Sequence, residues 1–210
     1  QPAAAKNFRT TANLKQSNNR LPHRSQFVIP QESTMNAAAV IQSFRDSRPI
    51  RDTHINDRVV IDPDSFRGQI NCVACQFAYF TATCAQLHEP VSFANCQFDY
   101  LDFYATYFLK GLTMDGCVVS DHVTFQSGGH NDKDHPFAII NTHFDSFVDF
   151  EDCWFTGSFR LENVVFTQGT NLFGNKDTPM AVSFDFEPQV ANVQGTLNIN
   201  TYKPPARSGS

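Results

Sequence analysis

Between residues 70 and 172 the apolar positions recur at short, regular steps. Phe77, Phe98 and Val119 stand 21 residues apart, as do Ala82 and Phe103, Leu87 and Phe108, and Phe93 and Met114. Within each interval the steps are five, five, six and five. The series continues through Phe125 and resumes after an interruption with Ile139, Phe144, Phe150, Phe155, Leu161 and Phe166. Two residues before each member lies a second residue that is mostly apolar or small, such as Cys75, Phe80, Cys96, Leu101, Cys117 and Cys153. A separation of two puts both side chains on one face of a strand. A step of five is too short for a strand plus a hairpin and matches no helical period over such a length. It fits a chain that turns a corner about every five residues, each inward pair lying on its counterpart one coil later, about 4.8 Å away.

The period predicts an all-β fold: a right-handed parallel β-helix of about five coils of 21 residues across 61–175. The stretch "QSGGHNDKDHP" at 126–136 interrupts the series with turn formers and reads as a loop protruding from one corner. Upstream, "STMNAAAVIQSF" predicts one short helix over 34–45, with Ser33 or Thr34 as its N-cap and Pro49 beyond its end. Residues 46–60 read as a connector, so that 33–60 together cap the solenoid. "MAVSFDF" and "VQGTLNI" read as strands that cap the other end within 176–210. Residues 1–32 show no apolar period and read as an extended arm.

This pattern resembles the pentapeptide-repeat family, whose unit is a small residue, Asp or Asn, then Leu or Phe, then two variable positions. The resemblance covers residues 70–172, about half the chain, and implies a right-handed quadrilateral β-helix. Phe80, Leu101, Leu112, Phe137 and Phe159 are large where the family is small, and its Asp or Asn occurs only at Asp102 and Asp149. A coil of 21 residues is also longer than the family's regular turn. The chain therefore reads as a divergent member, with a wider right-handed β-helix as the alternative.

Composition sharpens this. Phenylalanine supplies 21 of 210 residues, yet mean hydropathy is −0.33, so the rings must alternate with polar residues. No apolar run reaches the roughly 18 residues of a membrane helix, so the chain is expected to be soluble or peripheral to a membrane complex. Net charge is −5 and unevenly spread. Residues 1–31 carry Lys6, Arg9, Lys15, Arg20 and Arg24 with no acid, whereas 61–175 hold 14 acidic against four basic residues. An acid-free start bearing Arg and Ser fits a processed N-terminus, including the remnant of an organelle transit peptide, but such compositions are common in disordered tails.

Candidate chemistry is sparse. Cys72 and Cys75 form a C-x-x-C that, with Cys84 and Cys96, offers four thiolates, but zinc sites of this kind pair two such motifs. Cys75, Cys96 and Cys117 share one phase of the repeat, so they read as a core ladder beside Phe77 and Phe98. Phe103, Phe108, Phe125, Phe144, Phe150, Phe155 and Phe166 belong to the same core. Stacked thiols sit farther apart than a disulfide prefers, which favours reduced cysteines and a reducing compartment, cytoplasm or organelle interior. His130, Asp132, Asp134 and His135 in the interruption are weak metal-ligand candidates. His88 and Glu89 stand side by side, His122 and His143 are isolated, and no catalytic or cofactor motif is present.

The outward positions are more informative. Tyr79 and Tyr100 share a phase and should stack on an outer edge, with Tyr104 and Tyr107 nearby, and Trp154 lies between two inward residues. Such aromatics carry binding energy at protein interfaces. These residues and the five cations of the arm are the partner-binding candidates. The expected function is a non-catalytic structural scaffold, an accessory subunit of a larger protein assembly, with no direct binding of nucleic acid. One alternative follows from the resemblance: some pentapeptide-repeat proteins imitate duplex DNA and bind gyrase, and Asp99, Asp102, Asp115, Asp121, Asp145, Asp149, Glu151 and Asp152 offer an acidic surface. A carbohydrate-active β-helix is the third reading.

Overall fold

The computed structural model describes residues 33–203. Its strands pair in parallel throughout and stack as a β-solenoid of about 6 turns. The first face runs Ile50–Arg51, Ile70–Val73, Val91–Ala94, Leu112–Asp115, Phe137–Ile140, Phe159–Glu162 and Gln189–Ala191, each strand bonded to the next. The long face runs Ser33–Thr34, Thr53–Val60, Gln76–Thr81, Gln97–Asp102 and Val118–Thr124. Beyond it the two halves of Val118–Thr124 pair with separate strands, His143–Phe144 and Val148–Asp149. The long face is thus two sides joined at a bend, which makes each coil four-sided. The fourth side carries Asp64–Phe66, Ala85–Leu87 and Tyr107–Phe108, and continues through Gly129 to Trp154–Phe155 and Ser183–Phe184.

The register follows the 21-residue period: Phe77 pairs with Phe98, Phe98 with Val119, Leu87 with Phe108 and Phe93 with Met114. Two aromatic geometries fill the interior. Along the axis, rings stack almost parallel, as in Phe77–Phe98 at 5.2 Å and Phe125–Phe150 at 5.0 Å. Across a coil they meet edge to face, as in Phe93–Phe98 at 5.1 Å and 88°. Both arrangements suit the ring quadrupole, so one residue type packs in both directions. Phe103, Phe108, Phe144, Phe150, Phe155 and Phe166 are all buried.

Three boundaries differ from the sequence expectation. The first coil starts at Ile50, inside the segment 46–60 assigned to a connector, because Ile50 pairs with Cys72 and Ile55 with Phe77. Ile50 and Ile55 step by 22 to their partners and so fall outside the period of 21, which Val59 and Phe66 later in the same coil keep with Phe80 and Leu87. The helix is Ala37–Arg45 and its N-cap is Asn36, whose side chain accepts from the Ala39 amide at 2.9 Å. Ser33 and Thr34 instead add a strand beside Thr53 and His54, with Ser33 Oγ donating to the Asp52 carbonyl. Finally, 126–136 is not all protruding loop. Gly129 bridges Tyr107 and Trp154, and Asn131 is fully buried, its Nδ2 donating to the His135 and Ser158 carbonyls.

Corners repeat as regularly as sides. Asp52, Ala74, Asn95, Gly116, Asn141, Asn163 and Asn192 each adopt a positive φ between 49° and 67°. Asn and Gly tolerate this region best. At the C-terminal coils the Asn side chains join into a ladder, Asn192 Nδ2 donating to Asn163 Oδ1, Asn163 to Asn141, and Asn141 to Asp115.

Candidate interaction surface

The cysteine column comes first, because it removes one site from consideration. Cys75, Cys96 and Cys117 are buried directly after the positive-φ corners. Cys75 Sγ lies 3.4 Å from the Val73 carbonyl and 3.5 Å from that of Ile50, one coil earlier. Cys96 and Cys117 repeat both contacts, and in the next coil Thr142 Oγ1 donates to the Ile140 carbonyl at 2.8 Å. At the neighbouring corner Thr106 Oγ1 donates to the Ala82 carbonyl at 2.6 Å and Cys153 Sγ to that of Phe125 at 3.0 Å. Cysteine and threonine therefore share one task, a compact buried donor to a corner carbonyl. The task requires a protonated thiol, and at Cys153 burial pushes the thiol upward from its ordinary range.

The interruption does not gather metal ligands. His130 faces outward between Tyr107 and Trp154, while Asp132 and Asp134 are exposed. Among the described residues no three His, Cys, Asp or Glu side chains come together to hold an ion. Glu89 pairs with Lys110 at 2.9 Å rather than with His88, and His143 lies 2.9 Å from Asp145.

Two aromatic ladders occupy the outer faces. In the first, Tyr79 and Tyr100 stack at 4.2 Å and 9°, His122 lies on Tyr100 at 4.4 Å, and the Arg58 guanidinium lies 4.1 Å from the Tyr79 centroid. Arg58 also donates to Tyr79 Oη at 2.6 Å. Burial, the neighbouring Tyr79 hydroxyl and Asp102 push the Tyr100 phenol up to about 12. Arg58 and His122 reach the ladder through β-bulges, where the register shifts between Ile55 and Arg58 and between Val119 and His122. A uniform period places Asp121 beside Tyr100. The signal that corrects it is a spacing of four from Val119 to Val123, against three from Phe98 to Leu101.

The second ladder lies on the fourth side. Gly129 occupies the rung between Tyr107 and Trp154, and its missing side chain leaves a gap that the His130 ring fills, 4.0 Å from Tyr107 and 5.5 Å from Trp154. A Cβ on Gly129 would lie 2.6 Å from the Trp154 carbonyl oxygen, and its φ is 97°, so only glycine fits. Trp154 Nε1 donates to Asp185 Oδ1 at 2.8 Å, and the indole is 46% exposed. Tyr104 stands on the corner between the two ladders, its amide held by Asp102 Oδ1. The predicted aromatics thus lie on adjacent outer sides of the solenoid. Lys6, Arg9, Lys15, Arg20 and Arg24 lie outside the described residues.

The acidic candidates are spread around the coil, and several are tied into the scaffold. Asp115 ends the Asn ladder, Asp149 accepts from Asn171, Glu151 from Thr201 and Asp152 from Ser127. A depression near the C-terminal end, bordered by Asn175 to Pro179, Asn200 and Tyr202, contains one carboxylate, Asp177. No helix among the described residues is long and apolar enough to cross a membrane. Compared with family models, curated proteins and solved structures, the chain matches none.

Proposed function

We propose that this chain is a divergent pentapeptide-repeat protein acting as a non-catalytic scaffold, an accessory subunit that holds other proteins of an assembly against its outer faces and its basic arm. The observation that carries this reading is the pair of pre-stacked aromatic ladders on adjacent sides. Tyr and Trp held rigidly bury large contact areas with little loss of side-chain entropy, which is the economy of an interface hot spot. The four-sided coil supports the family assignment. A glycoside-cleaving site needs two facing carboxylates, and the depression near Asp177 has one.

The test is co-purification of the tagged protein with its partners from its own cells. Deleting residues 1–32, or replacing Tyr100 and Trp154 by alanine, is expected to leave the β-rich circular dichroism spectrum intact and to strip the partner subunits. An unchanged complex in all variants overturns the proposal. Inhibition of gyrase supercoiling by micromolar purified protein would replace it with the DNA-mimic reading; none is expected.

A further inference from the structure

The two aromatic ladders end differently. The first is closed by a cation, the Arg58 guanidinium over Tyr79. The second ends at Trp154, and its neighbour in the next coil is Ser183, an exposed residue too small to cover an indole. Among the described residues no cation stands over Trp154. The ring is nonetheless fixed: His130 meets it edge to face, and Asp185 holds its N–H. That carboxylate accepts one bond from the indole and keeps lone pairs free at the ring edge.

We propose that the open face of Trp154 and the Asp185 carboxylate form a binding site for an arginine side chain of a partner protein. The first ladder is the internal precedent for the geometry. A guanidinium is planar, stacks on an indole and donates two parallel N–H bonds to a carboxylate, whereas an ammonium supplies charge without the plane. The nearby charge suits it, since Asp185 holds the indole N–H and Asp152 acts on the His130 ring that meets the indole. Burial holds His130 below its ordinary pKa, with Asp152 opposing more weakly, so the ring beneath the indole is neutral at neutral pH and does not repel a cation. The proposal rests on the reading of the outer faces as protein-binding surfaces and names the chemistry of one contact.

Trp154 is the only tryptophan of the chain, so its emission reports this site alone. The full chain is titrated at low ionic strength with a short glycine-flanked arginine peptide, its citrulline isostere and its lysine counterpart. The arginine peptide is expected to change the emission saturably. Citrulline keeps the plane without the charge and should bind about tenfold more weakly, as should the arginine peptide to Asp185→Asn. Calorimetry should find no binding to Trp154→Ala and unchanged binding to Arg45→Ala, which removes a cation of the N-terminal helix bonded to Asp62. Linear, unsaturable quenching, or equal binding of citrulline, overturns the proposal. If arginine fails while Trp154→Ala still strips partners from the complex, the arginine site falls and the scaffold reading stands; if no variant, the deletion of 1–32 included, loses its partners, both fall.

Discussion

The N-terminal end of the solenoid is closed by an apolar helix, and the C-terminal end by hydrogen bonds. At the first, Val40 and Phe44 are fully buried and the Phe44 ring lies 6.4 Å from Phe80. The helix sits so close that a Cβ on Gly68 would lie 2.5 Å from the Phe44 carbonyl oxygen. At the other end Val182, Phe184, Val193 and Leu197 point toward the core but stay only partly buried, and Phe186 is 52% exposed. What ties down that last coil is polar. Asn175 Oδ1 accepts from the amides of Thr201 and Tyr202 at 2.8 and 2.9 Å, and Asn171 links Thr201 to Asp149. An open solenoid end exposes both core and unpaired backbone. Here each end meets chiefly one of these two demands, the helix covering core and the asparagines satisfying backbone.

Removing the central group at each end should break the two closures differently. Phe44→Ala leaves a cavity under the first coils and is expected to destabilise by about 3–5 kcal/mol, read as a lower denaturant midpoint. Asn175→Ala leaves two amides without their acceptor and is expected to cost about 2–3 kcal/mol. Because coils touch only their neighbours, that loss should appear as faster amide exchange over 189–203 with the first coils unchanged. Equal protection loss at both ends would mean that the solenoid opens as one cooperative unit.

How legible these features are in the sequence follows from how local their causes are. The interior columns read directly, because a side chain's phase within a coil depends only on spacing. The bulge that brings His122 onto the ladder shifts the phase by one residue inside an otherwise regular side, so a fixed period of 21 assigns Asp121 to Tyr100 instead. Corner asparagines were readable in principle, since Asn95, Asn141, Asn163 and Asn192 precede the small inward position each time. They escape notice because Ala74 and Gly116 break the run of residue types while preserving the backbone shape. The polar C-terminal clamp was not readable at all. Asn175 and Thr201 are 26 residues apart and belong to no repeat, so only the fold brings them together.

Two smaller substitutions sharpen the contrast between the ends. Asn36→Ala removes the helix cap, which satisfies one amide while Asp57 Oδ2 accepts from another, that of Ala37. The expected loss is about 1 kcal/mol, confined to the helix and the edge strand Ser33–Thr34 in exchange measurements. At the opposite end Asn192 has two tasks, the left-handed corner at φ 52° and the last bond of the Asn ladder. Asn192→Gly abolishes the side-chain bond but keeps the backbone conformation without penalty. Its expected effect is within about 0.5 kcal/mol, because the bond is exposed and exchanges with water. Asn192→Ala loses the same bond and also strains the corner, so it should be the more destabilising of the two. Equal effects from both would assign the position to the ladder instead of the corner, and a chain of side-chain amides would then be holding the C-terminal end.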